Sequence, residues 1–141
     1  MIRHMLDADV CIHLLRRSPP RDLQRRFIVE ASGLGLSAVV LTELLVGARK
    51  NAHPAEAESR LEKFCAPLVV VDFDSGAANH AADIRCDLER RGQKIGPLDT
   101  LIAGHARSLG AIIVTGNLRE FSRVAGLRCE DWFSSVQGFS E

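Results

Sequence analysis

The chain lacks any apolar run long enough to cross a membrane. Its best stretch, Leu34 to Ala48, is short and carries Glu43 in its middle, whereas a span needs about 20 apolar residues. It also lacks net charge, with 18 basic and 18 acidic side chains, so composition alone does not announce a nucleic-acid partner. Lysine is scarce: only Lys50, Lys63 and Lys94 occur, and the other fifteen bases are arginine. The guanidinium fork suits phosphate or carboxylate, although genomic base composition gives the same bias. Cys11, Cys65, Cys86 and Cys129 stand far apart with no Cys-x-x-Cys pair, which argues against a structural zinc site. Free, mostly buried thiols in a reducing compartment are expected. Glycine and proline are scattered while 46% of residues are hydrophobic, which excludes collagen-like, low-complexity and disordered chains.

What is present fits one domain, since 141 residues can bury roughly two-thirds of the unfolded surface. The opening Met1-Ile2-Arg3-His4-Met5-Leu6-Asp7 reaches an acid too soon for a signal peptide, and a cytoplasmic location is expected. Short apolar runs at 2–6, 33–37, 68–73 and 111–115 read as strands, with a fifth over 127–132. Helical patterns separate them: 9–16, 20–32, 38–50, 54–65, about 75–91, 97–109 and a short one over 117–124. The run 68–73 has the unbroken apolar character of a strand covered on both faces. Ala38 to Lys50 reads as a buried helix, and Gly92 as the residue that ends the long helix capped by Asp74 or Ser75. Strands alternating with helices predict an α/β fold, a three-layer α/β/α sandwich on a mostly parallel four- to five-stranded sheet. The domain is expected over 1–133, with a frayed tail over 134–141.

Sites in such sheets lie beyond the carboxyl ends of the strands. Asp7 and Asp9 follow the first strand there, Glu43 lies two turns into the helix after the second, and Asp99 opens the helix before the fourth. Asn117 and Glu120 follow Val114-Thr115 at the end of that fourth strand. Glu43 is the sharpest clue, because Leu41, Leu44, Leu45 and Val46 surround it and a lone buried carboxylate is costly unless paired or bound to a cation. Converging acids without a basic partner repel one another. Hard Mg²⁺ or Mn²⁺ resolves the repulsion with oxygen ligands while keeping waters for chemistry. The pattern therefore suggests an acidic metal site acting on a phosphate ester through metal-activated water.

Each acid has a plainer reading too. Asp99 fits an early-turn acid favoured by the helix dipole, Asp7 and Asp9 fit a strand end and a helix cap, and Glu120, taken by itself, fits a solvated surface acid. Arg16, Arg17, Arg21, Arg25 and Arg26 could guide RNA phosphates or form a solvated face. His4, His13, His53, His80 and His105 lack metal-ligand spacing and read as structural or exposed.

Four segments resemble VapC-type toxins of the PIN-domain ribonuclease family, in order and over about 130 residues. They are Met5-Leu6-Asp7-Ala8-Asp9-Val10-Cys11-Ile12, Leu36 to Leu44 around Thr42-Glu43, Ile95 to Ala106 around Leu98-Asp99, and Val114-Thr115-Gly116-Asn117-Leu118-Arg119-Glu120-Phe121. Each is weak alone and together they are specific. The resemblance implies a Mg²⁺- or Mn²⁺-dependent endoribonuclease, the toxin of a type II toxin–antitoxin module. It implies that Asp7, Glu43 and Asp99 hold the metal and act in catalysis with Asn117, which stands where many members carry aspartate. Asp9, Thr115 and Glu120 would support that set, and Glu120 or a water on Asn117 would fill the fourth place. A VapB-like antitoxin that covers the groove, a homodimer, an RNA substrate among which tRNA and initiator tRNA come first, and operator DNA bound only through the antitoxin complex are all implied.

Three rival readings share parts of this pattern. A haloacid-dehalogenase-like phosphatase shares Asp7-Ala8-Asp9, but no lysine follows Lys94 and no Gly-Asp dipeptide occurs. A phospho-receiver domain likewise lacks its late lysine. A degenerate, non-catalytic PIN domain that binds RNA or a partner protein would account for Asn117 but not for an intact Asp7, Glu43 and Asp99.

Overall fold

The computed structural model describes residues 1–134. Five short strands form one sheet: β1 (His4–Leu6), β2 (Leu34–Ser37), β3 (Val69–Val71), β4 (Ile112–Val114) and β5 (Cys129–Glu130). They run in the order β3-β2-β1-β4-β5, and every pairing is parallel. Seven helices connect or flank them: α1 (Ala8–Leu14), α2 (Arg21–Val29), α3 (Ala38–Arg49), α4 (Pro54–Cys65), α5 (Ser75–Arg90), α6 (Pro97–Ser108) and α7 (Leu118–Phe121). The result is the expected α/β/α sandwich. The C-terminal tail lies outside the described residues from 135 onward.

The element boundaries follow local chemistry. Asp7, just past β1, and Ser37, the last residue of β2, each cap the next helix, their side chains accepting from the amides of Ala8 and Val39. Asp74 caps α5 by accepting from the Ala77 amide, and α5 stops at Gly92, whose φ of +67° suits glycine. Pro97 opens α6 where its missing amide proton costs nothing. The helix expected over 20–32 ends at Val29, and a separate 3-10 turn, Ala31–Gly33, delivers the chain to β2.

β1 is central, and His4, Met5 and Leu6 are all buried. Around it Leu36, Val40, Ile84, Leu88, Ile102, Ile113, Val114 and Phe121 make one apolar core. Two burial expectations are corrected. β3 is an edge strand with Val69 53% exposed, so a continuous apolar run here marks an edge with one partner, not a strand covered on both faces. The helix expected to be buried, α3, buries only Val40, Leu44 and Ala48, while Val46 is exposed. The thiols differ from expectation as well: only Cys11 is buried, Cys65 and Cys129 are half-buried, and Cys86 is exposed. Among the described residues, no helix is long and apolar enough to cross a membrane.

Strand order fixes where a site can form. The chain lays down β1, β2 and β3 in one direction, then returns to the other side of β1 for β4 and β5. The reversal falls between β1 and β4, and the loops leaving those two strands diverge there and open a crevice.

Candidate active site

Leu6 pairs with Val114 at the carboxyl ends of β1 and β4, so the residues that follow, Asp7 and Thr115, emerge side by side into the crevice. Both are buried. The Asp7 carboxylate accepts from the Ala8 amide through Oδ1 and from the Thr115 hydroxyl through Oδ2, each at 2.8 Å. The Thr115 oxygen in turn accepts from the Asn117 amide at 2.9 Å. In the first turn of α1, Asp9 accepts from the Gly116 amide at 3.1 Å. The β1–α1 and β4–α7 loops are thus stitched together by acids on one side and a hydroxyl and amides on the other.

Asp99, in the first turn of α6, faces the same crevice and shares a hydrogen bond with Glu120 on α7. Glu43 reaches it from the second turn of α3. Burial, then the charge of Glu120, the hydrogen bond with it, and the charges of Glu43 and Asp9 push the Asp99 carboxyl up to about 6. Asp7 is pushed up to about 7, first by burial, then by the charge of Asp9 and to a lesser extent Asp99, against the stabilising bonds from Thr115 and Ala8. Burial alone raises Glu43. None of these five acids is ion-paired to Lys, Arg or His among the described residues. Glu43 Oε1 and Asp9 Oδ1 are buried with no hydrogen-bond partner.

Buried carboxylate oxygens without a donor are rare, because they carry the full desolvation cost. Two of the five acids, Asp9 and Glu43, are in that position, and a positively charged occupant would relieve it. Asp7, Asp9, Glu43, Asp99 and Glu120 all keep oxygen lone pairs free, and a hard divalent cation prefers such donors. Among the described residues, no three His, Cys, Asp or Glu side chains already surround one point as a finished cage. Asp7 and Asp9 instead commit oxygens to the Ala8 amide of their own turn and to Thr115 and Gly116 of the facing β4–α7 loop.

All the residues singled out from sequence lie at this edge of the sheet. Asn117 enters through its main chain, by the amide bond to Thr115. Glu120, readable in isolation as a solvated acid, faces Asp99 because the short α7 turns it back into the crevice. Gly116 escaped the sequence reading, while His105 has the structural role that reading allowed. Gly116 leaves no room for a side chain, since a Cβ there would stand 2.8 Å from Asp9 Oδ2 and 3.0 Å from a Phe133 ring carbon. His105, one of the histidines read as structural or exposed, is buried with Nδ1 2.8 Å from Ser37 Oγ, the group that caps α3. It therefore ties α6, which carries Asp99, to the start of α3, which carries Glu43. The apolar setting of His105 and the serine at the end of a strand were the available signals.

Comparison with known proteins agrees with this architecture. The PIN domain family model matches residues 4–127. A tRNA(fMet)-specific endonuclease VapC of Shigella flexneri is 44% identical over 94% of this chain and 99% of its own. Ribonuclease VapC2 of Haemophilus influenzae is 37% identical over the same shares. Among solved structures, DNA-bound VapBC from Salmonella typhimurium superposes with a TM-score of 0.89 at 42% identity, covering 94% of this chain and 99% of that one. VapBC2 of Rickettsia felis, bound to a promoter DNA fragment, gives 0.87 at 31% identity over the same shares. With the family model spanning nearly all the described residues and near full-length relatives well above 30% identity, the chain belongs to the PIN domain family, in its VapC branch.

Proposed function

We propose that this chain is a divalent-cation-dependent endoribonuclease, the toxin of a VapBC-type pair, acting in the cytoplasm on tRNA. The observation that carries the reading is the crevice at the β1/β4 switch point, where five carboxylates gather with no basic partner among the described residues and two of their oxygens are buried unsatisfied.

Asp7, Glu43 and Asp99 would hold the cation, Mg²⁺ or Mn²⁺, with Glu120 beside Asp99 as the fourth acid in place of the aspartate that Asn117 displaces. When bound, the cation would supply a polarised water and offset the charge that builds on the scissile phosphate. Thr115 keeps Asp7 in one rotamer by donating to Oδ2, so the free lone pairs of that carboxylate point into the crevice. Gly116 does the same for Asp9. Asp99, whose carboxyl is pushed up to about 6, can take and return a proton at its oxygens, with Glu120 beside it. His105 and Ser37 fix the distance between the helices that carry Asp99 and Glu43.

The relatives extend the reading to partners. The Shigella relative is named for initiator tRNA, and that RNA is the first substrate to try. The Salmonella and Rickettsia structures are VapBC complexes bound to DNA. A VapB-like antitoxin is accordingly the expected partner, operator DNA would be met through that complex, and the toxin would pair as a homodimer.

Purified, antitoxin-free protein incubated with total tRNA tests the core of the proposal. Discrete fragments are expected with Mg²⁺ or Mn²⁺, and none with chelator or with Asp99→Asn. Cleavage that persists in chelator would overturn the metal-dependent mechanism. Tight Mn²⁺ binding without cleavage of any RNA would favour the non-catalytic reading.

A further inference from the structure

The carboxylates account for chemistry at a phosphate, yet nothing in them recognises a base. Beside them lies an aromatic pair that no step above uses. His13, on α1 one turn beyond Asp9, and Phe133, just after β5, stand with ring centroids 4.9 Å apart and planes at 78°. His13 is fixed from below: Nδ1 donates to the Asp9 carbonyl at 2.7 Å, which holds the ring in one orientation. Phe133 is fixed too, because its amide donates to the Asp131 carboxylate at 2.7 Å and Trp132 before it is buried.

The pair adjoins the acids directly. The space where a Gly116 side chain would be is closed on one side by Asp9 Oδ2 and on the other by the Phe133 ring. Both rings remain half-buried. In a perpendicular pair one ring offers its edge to the other's face, so ring faces are left over for a further partner. The other aromatic contacts have interior or structural explanations. Trp132 is buried between His4 and the Arg26 guanidinium, Phe73 packs on buried His105, and Phe121 lies in the core. Past the end of α1, Arg16 and Arg17 are exposed, so α1 leads from acid to aromatic to base.

We infer that His13 and Phe133 form a stacking wall that takes the nucleobase next to the scissile phosphate. Aromatic faces bind single-stranded bases in this way, with little demand on base identity. The wall would explain how a crevice lined with acids retains a polyanion: the base is held by stacking while the cation and the α1 arginines meet the phosphates. This inference rests on the ribonuclease reading of the same crevice.

The test uses full-length protein carrying Asp99→Asn, so that RNA is bound but not cut. Fluorescein-labelled single-stranded oligoadenylate and the same oligomer with abasic ribose at successive positions are titrated in Mg²⁺, and anisotropy is read. Phe133→Leu should weaken the intact oligomer about tenfold or more, the size of one lost base stack, while Phe133→Trp restores it. At one abasic position the Phe133→Leu change should have no further effect. His13→Leu supplies a second variant on a different element should Phe133→Leu fail to fold. Equal affinity for wild-type and Phe133→Leu, or an equal loss for intact and abasic oligomers, would overturn the stacking wall. Failure of the parent protein to bind any oligomer, with Phe133 unchanged, would instead overturn the RNA-binding reading on which it stands.

Discussion

Thr115 donates its hydroxyl proton to Asp7 Oδ2 at 2.8 Å and accepts the Asn117 amide on the same oxygen at 2.9 Å. The residue is fully buried, so water cannot reach its hydroxyl or replace the buried bond to Asp7. Thr115→Val keeps the shape of the side chain and removes both partners at once. A buried donor or acceptor left unsatisfied costs about 1–3 kcal/mol. Urea unfolding is therefore expected to show a loss of that size, and tRNA cleavage should fall more steeply than stability because Asp7 is no longer held in one rotamer. Thr115→Ser, which keeps the hydroxyl, should recover most of the activity.

Asp99→Asn separates catalysis from folding. The amide is close in size to the carboxyl and removes the charge that Glu120, Glu43 and Asp9 oppose. Cleavage is expected to drop by at least about a hundredfold, as for loss of a group that orients a metal site. In chelator at pH 8, the variant should melt at or above the wild-type temperature, because one repelling charge is gone. A lower melting temperature in chelator would show that Asp99 is structural.

Much of this was legible in the sequence, and the rest was hidden for physical reasons. Alternation of apolar runs with helical patterns gave the parallel sheet, and Asp7 and Ser37 mark where β1 and β2 pass into helices. The carboxyl-edge rule put Asp7, Asp9, Glu43, Asp99, Asn117 and Glu120 at one edge of the sheet, because local position in a crossover unit decides which loops meet. Burial was harder. Val69 and Val46 look like core residues, but strand order and helix rotation, which no local pattern encodes, place them outside. Glu120 and Gly116 matter through residues far away in sequence: Asp99, and Asp9 together with Phe133. Contacts of that kind appear only once the sheet is assembled.

The carboxylates should make stability depend on pH and cation together. Asp7, pushed up to about 7 from an ordinary 3.8, binds its proton more tightly in the fold than in the unfolded chain. Its contribution is therefore fully present below about pH 4 and is lost as pH rises through about 7. Without divalent cation the protein should lose stability over that interval from this group, by an amount on the order of a few kcal/mol. Mg²⁺ or Mn²⁺ binds the ionised form, so it should raise the melting temperature more at pH 8 than at pH 5.5. Melting curves at the two pH values, with cation and with chelator, check this. A cation shift independent of pH would place the bound ion away from Asp7.

Two glycines predict opposite outcomes for one substitution. At Gly104 on α6, a Cβ would stand 2.5 Å from the Ala81 amide nitrogen and 2.6 Å from its Cα, both backbone atoms of α5. Backbone cannot step aside as a side chain can, so Gly104→Ala must push the two helices apart. Overpacking of that kind costs about 1–3 kcal/mol. Because Asp99 rides on the same helix, the displacement should also lower cleavage measured well below the melting temperature. At Gly47 on α3, a Cβ meets nothing within 4 Å, and the position is exposed. Gly47→Ala should therefore stabilise by roughly 0.5–1 kcal/mol through the smaller entropy of the unfolded chain and better helix propensity, with cleavage unchanged. Urea midpoints for the two variants should move in opposite directions from wild type. If Gly104→Ala is neutral, the close approach of α5 and α6 does not set the position of Asp99.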